Sequence, residues 1–145
     1  MTNVILKQAK IIDPSSPFHL QTMDLKIENG TITAIEKEIT NSTDFELVEV
    51  PNLHLSQGWM DPSVSFGEPG YEERETIENV LKLASKSGFT AVALQPNSYP
   101  VIDNQSQIRF VLDQARNQAT TLYPIGALTR GSEGVDLAEL FDMKN

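Results

Sequence analysis

Ser63 and Ser65 stand two residues apart in the stretch DPSVSFGEPG, which spans Asp61 to Gly70. The stretch follows LHLSQGWM and reads as a short strand running into a loop. Alternate residues of a strand point to the same side, so both hydroxyls are expected to face one space. A serine becomes a nucleophile when a neighbouring base takes its proton. No histidine or lysine lies beside this pair, so nucleophilic catalysis is not the favoured reading. As metal donors the pair is poor, because zinc sites are built from imidazole, thiolate and carboxylate.

Other residues could also do chemistry. Asn97, between Pro96 and Ser98, could grip a ligand through its amide, although on bare sequence this context more often marks a turn. Glu72, Glu73, Glu75 and Glu78 form an acidic cluster, better read as the solvated start of a helix than as a metal site. Thr129-Arg130-Gly131-Ser132 could hold an anion, with a plain loop as the simpler reading. The chain has two histidines: His19 falls in a proline-rich loop and His54 lies upstream of the serine strand. Both are expected to be solvated or packed rather than metal-bound.

Two kinds of element must position these residues. Val4 to Ile12, Met23 to Glu28, Thr31 to Glu36 and Leu47 to Val50 read as strands, and Asn29-Gly30 is a strong hairpin signal between two alternating runs. The segment from Val4 to Val50 is therefore expected to be a small antiparallel β unit. After Gly58 the rhythm changes. Trp59 to Phe66, Phe89 to Leu94 and Thr121 to Leu128 read as strands, separated by helices over Glu72 to Ser87 and Asn104 to Asn117. A further helix is expected over Leu137 to Met143. Alternating strands and helices with short loops imply parallel pairing, with any chemistry in the loops after the strand ends. The expected division is residues 1–57 and 58–145. Three strands do not close a (β/α)8 barrel of ~250 residues, so the chain reads either as a small open α/β sheet or, the favoured reading, as the first part of a longer protein.

Composition narrows the function classes. A formal charge of −9 repels phosphate backbones and anionic lipid, so neither nucleic acid nor a membrane surface is an expected partner. No apolar run approaches the ~20 residues that span a bilayer, and the N-terminus does not resemble a signal peptide. The absence of cysteine removes disulfides, thiolate metal sites and cysteine nucleophiles. A cytoplasmic location is the resulting expectation.

The run GWMDPSVSFGEPGYEERETIENVLKLASKSGFTAVALQPNSYPVIDN resembles the dihydroorotase family of the amidohydrolase superfamily. That family's pattern is Asp-x-His-x-His followed by x-Arg-Glu-Pro-Gly, then a helix and a strand ending in Met-Pro-Asn-Thr-x-Pro-Val. The resemblance extends from the N-terminal hairpin to YPIGALTRGSEG. It implies a metal-dependent (β/α)8 barrel with a small β-sandwich, and interconversion of carbamoyl aspartate and dihydroorotate. Zinc activates a water in the family, while an arginine and an asparagine hold the substrate carboxylate.

Carried onto this chain, Ser63 and Ser65 take the two metal-histidine positions and Gly67 takes the arginine position. Asn97 alone matches a substrate-binding residue. The resemblance thus implies a family member with an impaired or inactive site and no zinc bound within residues 1–145. Such a protein would act as a scaffold, for example for aspartate carbamoyltransferase, and as a homo-oligomer. The alternative is an active dihydroorotase, or an allantoinase- or hydantoinase-like hydrolase, whose displaced metal site is completed by residues beyond 145.

Overall fold

Asn29 and Gly30, both at positive φ, turn the chain tightly between β2 (Thr22–Glu28) and β3 (Thr31–Glu36) in a computed structural model that describes residues 3–144. Asn tolerates that region and Gly favours it, which is why this pair makes a two-residue hairpin. The chain divides into two compact units, residues 1–57 and 58–145.

The first unit is one sheet in the order β3-β2-β1-β4, with β5 also paired to β1. The antiparallel expectation holds for β1 (Val4–Ile12), β2 and β3. It does not hold for β4 (Glu46–Glu49), which runs parallel to β1, as does β5 (His54–Ser56) beyond the expected unit. β1 is nine residues long, and its first half pairs with β4 and its second half with β5. Between Leu6 and Ala9 the β1–β2 register shifts, and Gln8 sits there at φ 53°.

Asp24 fills the gap this bulge opens. Its carboxylate is fully buried and accepts the Gln8 N–H at 2.9 Å, the Ile39 N–H at 2.9 Å and the Lys7 ammonium. Lys7 also donates to the Ile39 carbonyl at 2.8 Å. A buried charge is tolerated only when paired and hydrogen-bonded, and here both conditions are met. Ala9, Ile11, Met23 and Leu25 form the apolar core of this unit.

The second unit is a parallel sheet, β6 (Trp59–Val64), β7 (Phe89–Leu94) and β8 (Thr121–Pro124), in that order. Helix α1 (Ile77–Lys86) links β6 to β7, and α2 (Gln105–Gln114) links β7 to β8. Thr76 caps α1 by accepting the Asn79 N–H, and Asn104 caps α2 by accepting the Gln107 N–H. Ile77, Leu81, Val92, Leu94, Ile102 and Val111 are among the buried residues of one core that joins the helices to the sheet. Complete burial of a side chain such as Leu81 contributes roughly 1.5–3 kcal/mol.

Several elements are shorter than expected. α1 begins at Ile77 rather than Glu72, because residues 67–76 form a loop bonded to the helix start. β8 ends at Pro124, after which Ile125 and Ala127 donate to the carbonyls of Leu94 and Ile102. α3 is confined to Leu140–Met143. A groove of about 530 Å³ lies beside β8, lined by Leu122, Tyr123, Leu140 and Met143 among others.

Candidate functional site

The strand ends of β6 and β7 carry the candidate residues. Val64 packs against the core, while Ser63 and Ser65 on either side of it are exposed. The alternation of a strand thus turns both hydroxyls away from the core. Ser65 Oγ accepts a hydrogen bond from Asn97 Nδ2 at 2.8 Å. The Ser63 N–H is taken by Asp61 Oδ1 at 3.0 Å. The structure therefore brings Ser65 and Asn97 together, across two neighbouring strand ends.

The loop after β6 is braced rather than open. Tyr71 N–H donates to the Gly67 carbonyl at 2.7 Å, and Glu68 N–H to the Glu75 carbonyl at 3.1 Å. Glu68 Oε2 accepts the Ile77 N–H at 2.9 Å, so this carboxylate satisfies a free amide at the start of α1. A Cβ at Gly67 would lie 2.1 Å from the Tyr71 carbonyl oxygen and 2.7 Å from that of Glu75. The position held by arginine in the resembling family has no room here for any side chain.

Gly70 joins this loop to the one after β7. It sits at φ 95°, and a Cβ there would come within 1.9 Å of the Tyr99 carbonyl oxygen. The Tyr99 N–H donates to the Pro69 carbonyl at 3.0 Å, and the Tyr71 and Tyr99 rings lie 6.4 Å apart. The Glu-Pro-Gly segment therefore serves as a connector between strand-end loops.

The acidic residues are dispersed. Glu72 accepts the Gly70 N–H at 2.8 Å, and that amide holds its carboxyl below the ordinary glutamate range. Glu75 accepts the Thr76 N–H, and Glu78 pairs with Lys82 one turn along α1. The hydrogen bond from Lys82 likewise lowers the Glu78 carboxyl. Arg130 lies in a short 3-10 turn (Arg130–Ser132), where Gly131 N–H donates to Asp103 Oδ2 at 2.8 Å. This bond ties the loop after β8 to the loop after β7. His19 Nδ1 accepts the Asp13 N–H at 3.1 Å, and His54 Nδ1 lies 2.7 Å from the Asn52 carbonyl. Both histidines belong to residues 1–57 and brace turns there.

The donor set at the β6 end does not fit the zinc of the resembling family. It offers two hydroxyls, one amide and a carboxylate already engaged by a backbone N–H. Among the described residues no group of three or more His, Cys, Asp or Glu is placed to hold a metal ion. Glu68 was not foreseen as a functional contact of α1. Its partner is nine residues away, and no local pattern marks the pair.

The fold resembles that of solved structures. An L-hydantoinase (dihydropyrimidinase) from Arthrobacter aurescens matches 89% of this chain and 28% of its own, with TM-score 0.74 at 16% identity. A crystal structure of a dihydroorotase matches 90% of this chain and 32% of its own, with TM-score 0.63 at 12% identity.

The model of the dihydro-orotase-like family matches residues 54–145, and the chain belongs to that family. The dihydroorotase of Syntrophus aciditrophicus is 38% identical over 143 residues, covering 97% of this chain and 33% of the relative. That of Pelobacter propionicus is 34% identical over 143 residues, covering 98% and 34%. The chain thus spans about a third of the length of the curated relatives it matches. Among the described residues no helix is long and apolar enough to cross a membrane.

Proposed function

We propose that this chain is part of a dihydroorotase-like protein of pyrimidine biosynthesis whose β6 end does not catalyse in the family's manner. The observation that carries this reading is the set Ser63, Ser65 and Gly67. A metal ion in such a site lowers the pKa of bound water from 15.7 to about 7. Neutral hydroxyls at 63 and 65 are weak substitutes for imidazole in holding one. At position 67 the backbone occupies the space that a carboxylate-gripping side chain would need. Asn97 retains the residue type of the substrate site but gives its amide to Ser65.

The role that follows is structural: a homo-oligomer that assembles with aspartate carbamoyltransferase. The braced loops support this reading, since they maintain a rigid strand end without the groups that do the chemistry. The test is an assay of dihydroorotate hydrolysis by the natural full-length protein, with elemental analysis and co-purification with aspartate carbamoyltransferase. We expect no turnover and a stable complex. Turnover abolished by a chelator would instead favour a metal site displaced to residues beyond 145, and failure to form a complex would remove the scaffold role.

A further inference from the structure

Gly67 lies in a crowded part of the β6-end loop. A Cβ there would meet three backbone atoms, the Tyr71 oxygen at 2.1 Å, the Glu75 oxygen at 2.7 Å and the Glu75 nitrogen at 2.8 Å. Backbone atoms cannot swing aside as a flexible side chain can, so any substitution must open the loop. The same loop carries Glu68, whose carboxylate accepts the Ile77 N–H at the first turn of α1.

We infer that Gly67 is a steric latch: its missing side chain lets residues 67–76 close on themselves, and closure delivers Glu68 to the start of α1. Closure at Gly67 is sealed by the Tyr71 N–H on the Gly67 carbonyl at 2.7 Å and by the Glu68 N–H on the Glu75 carbonyl at 3.1 Å. In this closed loop the Glu68 side chain stands beside Ile77. Replacing Gly67 therefore disrupts three amides together, whereas removing the Glu68 carboxylate releases one. This inference goes beyond the proposed function and holds whether or not the protein hydrolyses dihydroorotate.

Residue-resolved hydrogen exchange on the full-length protein tests it. In Gly67→Ala the amides of Glu68, Tyr71 and Ile77 are expected to exchange about tenfold faster, the scale set by loss of a helix-start hydrogen bond. Gly88→Ala is the control, because Gly88 has positive φ but nothing within 4 Å of an added Cβ. It should leave those three amides at wild-type rates. In Glu68→Ala, which keeps the latch, only the Ile77 amide should accelerate. This second variant keeps the inference testable if Gly67→Ala does not fold. Wild-type exchange in Gly67→Ala, or equal acceleration at Tyr71 and Ile77 in Glu68→Ala, would overturn the latch.

Discussion

Asn97 Nδ2 donates to Ser65 Oγ at 2.8 Å, linking the ends of two adjacent parallel strands through exposed side chains. An exposed neutral hydrogen bond contributes little net stability, because water replaces either partner when the other is lost. Ser65→Ala should therefore change the unfolding free energy by less than about 0.5 kcal/mol. Chemical denaturation checks this, and a loss above 2 kcal/mol would mean that the pair supports the strand end.

Restoring imidazole is the direct probe of the strand end. Ser63→His with Ser65→His should raise zinc affinity, measured by calorimetry on the full-length protein, without appreciable dihydroorotate turnover. Catalytic groups must be held within about 0.5 Å by supporting contacts, and the surrounding loops are bonded to one another instead. Adding Gly67→Arg should make the protein less stable than the double variant, because position 67 has no room for a Cβ. Family-like turnover by the double variant would refute the first statement, and a triple variant as stable as the double would refute the second.

The Asp24 carboxylate gives a pH dependence of known sign. Burial alone would push its pKa up, but the Lys7 ammonium and the amides of Gln8 and Ile39 outweigh burial and leave it lowered. A depressed folded-state pKa stabilises the fold above the unfolded aspartate value of about 3.9, and that stabilisation is lost as pH falls towards the folded value. Resistance to thermal unfolding should thus fall below pH ~4. Asp24→Asn should lose about 3 kcal/mol at neutral pH, since it leaves Lys7 part-buried without its counter-charge. Its stability should also vary less with pH in the acid range.

Leu81 is completely buried between α1 and the parallel sheet. Leu81→Ala should cost about 3 kcal/mol, the usual scale for a core leucine replaced by alanine. Asn104→Ala should cost about 1 kcal/mol through the lost cap of α2, and Asn104→Ser should recover most of it. Equilibrium unfolding of the three variants checks the ranking. Equal losses for Leu81→Ala and Asn104→Ala would contradict it.

The elements that local chemistry determines were legible in the sequence. Asn29-Gly30 marked its hairpin, and Ile77, Val80, Leu81 and Ala84 marked the inward side of α1. Partners that depend on distant contacts were not. Nothing local says that Glu46–Glu49 joins β1 in parallel, and His54–Ser56 is too short to announce itself as a strand. The acidic run from Glu72 to Glu75 resembles a first helical turn, yet the loop bonds of residues 67–76 delay the helix to Ile77. Gly67 was visible as a glycine, but the atoms crowded around it belong to residues up to eight positions away.

The two edges of the parallel sheet differ in how they resist unwanted pairing. β6 carries Pro62 within its edge and so lacks one amide donor, a common guard against strand addition. β8 has its proline only at the last residue, Pro124, which leaves the donors of Thr121–Tyr123 without such a guard, and a groove of about 530 Å³ adds an apolar surface beside it. Colloidal behaviour should reflect that asymmetry. Where nothing covers β8, this edge is the nucleus for concentration-dependent aggregation, and a lysine placed at Tyr123 is the substitution that would suppress it.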